Sequence, residues 1–259
     1  MSGADLRLGR WQDVLEGEEC DALICDPPYG QRTHEGHDSA NNQAPGMFPN
    51  KLGYEHWTAG DVGQFVDAWA PRVSGWLVAM TSHDLVPAWE ATLAAAGRYT
   101  FAPLPYLDPG KAPRVLGDGP ASWTVHIIVS RPRDGAWLKK WRADRKDAGL
   151  SRSLPGAYVR SAGDVVWDPP RRVKAKKRMG GKPPAVMRAI VRDYSRPGDI
   201  VCDPFAGHGT TLLAALTEGR RAIGAEVDPI AHAAACARLD CGYTPDMFAG
   251  LPMVGGPTR

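Results

Sequence analysis

Asp199-Ile200-Val201-Cys202-Asp203-Pro204-Phe205-Ala206-Gly207-His208-Gly209-Thr210-Thr211 is the stretch on which the fold turns. Its apolar start reads as a buried strand, its Gly-x-Gly as a tight turn, and Leu212-Leu213-Ala214-Ala215-Leu216 beyond it as a helix. A strand, a glycine turn and a helix N-terminus in succession let a ligand approach the backbone closely. Arg221-Ala222-Ile223-Gly224-Ala225-Glu226 reads as a second strand ending in an acid, 17 residues after Gly209, a spacing that suits a carboxylate holding ribose hydroxyls. No Gly-Lys-Ser/Thr follows the turn, which excludes a P-loop. The third glycine of a dinucleotide fingerprint is replaced by Leu212, which weakens a dinucleotide site; Gly-x-Gly alone leaves a nicotinamide dinucleotide and S-adenosylmethionine (SAM) evenly matched.

Outward from this stretch, short apolar runs alternate with amphipathic ones, the pattern of β-α-β units and a mostly parallel sheet. The class is α/β. The clearest strands are Asp21–Cys25, Trp76–Met80, Trp123–Ser130, Asp199–Cys202 and Arg221–Glu226; the clearest helices are His83–Gly97, Pro184–Tyr194, Thr210–Glu218 and Pro229–Leu239. At 259 residues and 43% hydrophobic, the chain has material for one domain with a sizeable core. Its five cysteines are odd in number and form no C-x-x-C pair, so neither a disulfide framework nor a zinc knuckle is expected. His34-Glu35-x-His37 is read as a solvated polar loop, and no metal site is expected. No apolar run approaches the roughly 18 to 20 residues of a membrane span, and the start lacks a signal-peptide layout, which points to a cytoplasmic protein.

A second motif, Asp26-Pro27-Pro28-Tyr29, follows directly on the apolar run Ala22-Leu23-Ile24-Cys25. Its polar atoms therefore emerge at the carboxyl end of a buried strand, where open α/β sheets bind ligands. The prolines supply no N–H groups and leave carbonyls free to accept hydrogen bonds beside a carboxylate and an aromatic face. By itself such a motif is also what an ordinary strand-ending turn looks like.

Taken together, Asp26-Pro27-Pro28-Tyr29 and Asp203-Pro204-Phe205-Ala206-Gly207-x-Gly209-Thr210-Thr211 resemble the SAM-dependent DNA amino-methyltransferases, which modify adenine N6 or cytosine N4. The order, catalytic motif first, resembles the permuted β group. Leu6-Arg7-Leu8-Gly9, Ala112-Pro113-Arg114 with Gly117-Asp118 leading into Trp123-Thr124-Val125-His126, and Gly181-Lys182-Pro183 add to the likeness, which runs from about residue 5 to 240. The resemblance implies a Rossmann-like class I methyltransferase fold, circularly permuted, with the two motif strands side by side. It implies that Asp26 and the Pro27 carbonyl accept the hydrogens of the target amino group, with Pro28 fixing the turn and Tyr29 stacked on a flipped base. It further implies a SAM site lined by Asp203, Pro204, Phe205, Ala206, Gly207, His208, Gly209, Thr210 and Thr211, with Glu226 on the ribose and Lys182 on the methionine carboxylate side. Packing and helix capping are the competing roles for Phe205 and Thr211. His208 stands where many relatives have serine, Arg10 where they have an acid, and Arg178-Met179-Gly180-Gly181 where His-Pro-Thr-Gln is usual.

The formal charge of +2 conceals a division. Residues 131–188 hold 17 Lys and Arg against 5 Asp, while the remainder is acidic. The likeness places target recognition in this stretch, so 131–182 is expected to be a basic insertion in a single domain of 1–259, with 30–60 a mobile substrate loop. Lys139, Lys140, Arg142, Arg171, Arg172, Lys174, Lys176, Lys177 and Arg178 are the expected contacts to double-stranded DNA. A homodimer and a cognate restriction enzyme are further partners that the resemblance allows. Aspartate at the head of the motif favours adenine N6 over cytosine N4. The rivals from other classes, a nicotinamide-dependent oxidoreductase and a non-catalytic DNA-binding relative, are disfavoured by the missing third glycine and by the complete Asp-Pro-Pro-Tyr motif respectively.

Overall fold

The computed structural model describes residues 4–38, 54–109, 123–151, 153–161, 163–164 and 181–240. Nine strands form one sheet: β1 Ala4–Leu8, β2 Cys20–Cys25, β3 Val73–Thr81, β4 Arg98–Thr100, β5 Leu104–Leu107, β6 Thr124–Pro132, β7 Tyr158–Val159, β8 Ile200–Asp203 and β9 Arg221–Glu226. The helices are α1 Trp11–Val14, α2 Gln31–Asp38, α3 Ala59–Trp69, α4 Val86–Ala95, α5 Gly135–Asp147, α6 Pro184–Tyr194, α7 Thr210–Thr217 and α8 Pro229–Asp240. The strand order is β1-β9-β8-β2-β3-β6-β5-β7, with β4 also on β6. The strands from β1 to β3 are parallel, whereas β6 runs antiparallel to β3, β4 and β5.

Sequence periodicity explains why helices cover both faces. In β2, Ala22 and Ile24 point into one core cluster while Cys20, Leu23 and Cys25 point into the other. In β3, Trp76, Val78 and Met80 alternate with Leu77 and Ala79 in the same way. A strand buried on both sides needs the near-continuous apolar run that these two have. On the first face α5, α6 and α7 supply Trp141, Ile190 and Leu212; on the second, α3 and α4 supply Phe65, Trp69 and Trp89.

The described parts of the two stretches that broke the sequence alternation contain regular structure. Of the stretch 30–60, read as a loop, α2 occupies the first part, Trp57 pairs with Gly30 and α3 begins at Ala59, while residues 39–53 lie outside the described residues. Thr58 caps α3 reciprocally with Asp61, and Val62, Phe65, Val66 and Trp69 form its buried stripe. Each of those four side chains gains about 1.5–3 kcal/mol on burial, ample to hold the helix. Within the stretch 131–182, the described residues include the end of β6 and α5, which buries Trp141 and Arg145 against the sheet. Residues 165–180, which carry Arg171 to Arg178, lie outside the described residues. No helix among the described residues is long and apolar enough to cross a membrane.

Candidate active site

Three neighbouring strands finish in acids along one edge: Asp26 just past β2, Asp203 closing β8 and Glu226 closing β9. Because β2 and β8 pair in parallel, with Ala22 opposite Val201 and Leu23 opposite Cys202, motifs 177 residues apart in sequence meet over the same edge. The chain leaves β8 towards β9 and leaves β2 towards β3, so strand order reverses between them, which is where such sheets open a ligand crevice.

The Asp26 carboxylate is held from two sides. The Tyr29 hydroxyl donates to Oδ1 at 2.8 Å, and Lys182 Nζ lies 2.5 Å from Oδ2 and 3.1 Å from the Tyr29 oxygen. Burial and the adjacent Asp26 charge push the Tyr29 phenol well above its usual range, so it stays a donor. Lys182, expected towards the methionine side, is thus placed on the catalytic-motif acid. Pro27 is buried and Pro28 half-buried. The Gly30 N–H donates to Ser82 Oγ just beyond β3, and the Trp57 N–H to the Tyr29 carbonyl, which locks the motif's end.

The glycine turn is pinned by Glu226, whose Oε2 accepts the Gly207 N–H and whose Oε1 accepts the Asp228 N–H, both at 2.8 Å. Gly207 and Gly209 have φ of +54° and +73°, the left-handed region that favours glycine. A Cβ on Gly209 would lie 3.3 Å from the Ala235 Cβ of α8, so the second glycine also permits close helix packing. Asp203, 2% exposed, accepts the Phe205 N–H at 3.0 Å and hydrogen-bonds the Thr211 side chain, yet burial pushes its carboxyl up to about 7. Pro204 and Ala206 are buried at the start of the turn. The His208 carbonyl and Thr210 Oγ1 accept hydrogen bonds from Arg238 of α8, at 3.0 and 2.9 Å. Phe205 packs edge-on to Trp57 at 5.4 Å and against Phe65 at 5.6 Å, as a packing role requires.

These residues fit a SAM-like ligand. Three acids on one edge suit a sulfonium and an ammonium, and the glycine turn lets such a ligand approach the backbone. Leu8 and Val227, 49% and 62% exposed, offer apolar surface where β1 and β9 end side by side. Trp57, Ser82 and Arg238 support the two motifs, and sequence spacing could not single them out because each reaches its partner across the fold.

The three expected DNA contacts on α5, Lys139, Lys140 and Arg142, sit elsewhere. Trp137 lies against Gly75, and Trp141 packs on Trp76 at 5.7 Å, near the start of β3. Arg145 donates to the Arg192 and Asp193 carbonyls ahead of β8, and Asp144 pairs with Arg196. The helix therefore flanks the amino ends of the strands, and Asp21 to Asp26 spans roughly 17 Å along β2. Lys139, Lys140 and Arg142 are exposed there and are not brought to the rim that carries Asp26.

This parallel sheet, with its reversal at β8 and β2, its antiparallel β6 and its glycine turn before α7, is the architecture of a class I methyltransferase. In sequence, residues 139–236 match the DNA methylase family. The chain is 38% identical over 139 residues to the type II methyltransferase M.MjaI of Methanocaldococcus jannaschii, covering 49% of this chain and 46% of that one. It is 42% identical over 67 residues to the DNA adenine methyltransferase YhdJ of Escherichia coli, covering 24% and 23%. The chain thus spans half or less of the length of these curated relatives. The M1.HpyAVI–SAM complex superposes with a TM-score of 0.60 at 18% identity, covering 92% of this chain and 99% of that one, a likeness of fold. Residues 139–236 thus resemble the DNA methylase family in sequence, and the fold is similar to that of a SAM-bound methyltransferase over most of the chain.

Proposed function

We propose that the chain methylates the exocyclic N6 amino group of adenine in duplex DNA, using SAM. The observation that carries this reading is the placement of Asp26 at the strand-order reversal, beside the strand that ends in Asp203 and the glycine turn. SAM would be held by the turn from Asp203 to Thr211 with Glu226 on the ribose and Lys182 reaching its carboxylate, and would supply an electrophilic methyl group.

The chain's own residues perform the rest. An exocyclic amino group is a weak nucleophile because its lone pair is delocalised into the ring. The Asp26 carboxylate and Pro27 carbonyl accept its hydrogens, favour a pyramidal nitrogen, and bind most tightly as positive charge develops there. The Tyr29 hydroxyl orients Asp26, and its ring offers a stacking surface to a base flipped out of the helix. Adenine is favoured by aspartate at the motif head and by the partial likeness to an adenine methyltransferase. Cytosine N4 is the second reading, supported by the same geometry.

The test is transfer of labelled methyl from SAM to unmethylated genomic DNA, followed by hydrolysis to the bases. Label is expected in N6-methyladenine, and Asp26→Ala is expected to lower the rate at least ~100-fold. Label in cytosine would overturn the choice of base, and methyl transfer retained in Asp26→Ala would overturn the role of the carboxylate. Absence of transfer to any DNA would overturn the activity.

A further inference from the structure

Both oxygens of Asp26 are engaged inside the site, Oδ2 by Lys182 Nζ and Oδ1 by the Tyr29 hydroxyl. Lys182 is 8% exposed, so its ammonium depends on a protein or ligand anion rather than on bulk water. Its backbone leads through Pro183 into α6, whose Val186, Met187 and Ile190 are buried in the core. Only the flexible four-carbon side chain is then able to swing. In the reaction proposed above, a base nitrogen gains positive charge against Asp26. An ammonium held on the same carboxylate opposes that charge and weakens the carboxylate as an acceptor. The ammonium must therefore be drawn off, and in buried surroundings another anion is needed to draw it.

We propose that Lys182 is a positioning residue that exchanges anions, passing from Asp26 to the carboxylate of the cofactor's amino-acid moiety, so that cofactor binding uncovers Asp26 for the target amino group. This rests on the SAM reading of the site. Its consequence is that Asp26 and the cofactor carboxylate compete for one ammonium.

The competition is measured by calorimetry, without DNA and without turnover. S-adenosylhomocysteine keeps the carboxylate but has a neutral thioether, which removes any direct attraction between Asp26 and a sulfonium. Asp26→Asn abolishes the competitor and is expected to tighten S-adenosylhomocysteine about fivefold or more, the scale of ordinary site coupling. 5′-Methylthioadenosine, which shares the nucleoside and thioether but lacks the carboxylate, is expected to bind Asp26→Asn and the native chain equally. In a Lys182→Met background the gain from Asp26→Asn is expected to vanish. A gain that persists there, or appears equally with both ligands, would overturn the exchange, as would no gain at all. Should Lys182→Met fold poorly, the two-ligand comparison on Asp26→Asn decides alone. If both ligands bind the native chain and Asp26→Asn changes neither, only the exchange fails; if neither ligand binds, the SAM reading fails with it.

Discussion

Asp203 is the buried acid at the centre of the site, and its titration gives that position a measurable signature. Burial, then the neighbouring charges of Asp26 and Glu226, favour its neutral form and raise its carboxyl from 3.8 to about 7. The folded chain thus keeps a proton that the unfolded chain has released. The contribution of Asp203 to stability is fully present below about pH 4, is lost progressively as pH rises to 7, and is flat above that. Asp203→Asn removes this slope. Thermal unfolding from pH 4 to 8 is expected to show the variant gaining on the native chain up to pH 7 and holding a constant lead beyond it. Parallel profiles would show that Asp203 is already ionised at pH 4. A cationic ligand stabilises the ionised form, so SAM affinity is also expected to rise from pH 6 to 8 in the native chain and to be flatter in the variant.

At the scale of elements, the turn between β8 and α7 shows what its two glycines are for. Gly209 combines a φ of +73° with an approach to Ala235, so a methyl group there meets both backbone strain and α8. Gly209→Ala is expected to cost about 1–2 kcal/mol from the left-handed conformation alone. Adding Ala235→Gly is expected to relieve the contact but not the strain; full recovery in melting experiments would assign the whole cost to packing. That turn was legible in the sequence because a strand, a Gly-x-Gly and an apolar helix follow one another without a gap. α6 was equally legible, Pro184 to Tyr194, since proline opens it and an apolar stripe runs through it. Other elements hid for physical reasons. β1 is an edge strand whose Arg7 pairs with Asp5 and Glu18, so it reads as polar chain. In α5 a buried Arg145 stands where the period calls for an apolar residue, and seven of its thirteen residues are charged. For α3 the signal was present, Thr58-x-x-Asp61 before a stripe of apolar residues, but it begins inside a polar stretch that otherwise looks like a loop. The Lys182–Asp26 contact joins residues 156 apart and has no local signature at all.

Across the whole molecule, the distribution of charge separates two basic regions that composition treats as one. α5 lies along the amino ends of the strands, where Lys140 is already paired with Asp144. The run from Arg171 to Arg178 instead leads directly to Lys182, which sits on Asp26. Since that run precedes Lys182 by only a few residues in sequence, we propose that the phosphate contacts come from the second region. Replacing Arg171, Arg172, Lys174, Lys176, Lys177 and Arg178 by alanine is expected to weaken binding to duplexes of any sequence. It is also expected to flatten the dependence of log K on log salt by about 0.9 for each phosphate that is no longer neutralised. The triple replacement of Lys139, Lys140 and Arg142 is expected to leave that slope nearly unchanged. Fluorescence anisotropy with a labelled duplex between roughly 50 and 300 mM salt, a span over which such slopes are resolved, distinguishes the two. A larger fall in slope from the α5 variant would mean that DNA also wraps the amino-terminal edge of the sheet, and a footprint that wide would need phosphate-binding groups on both sides of the molecule.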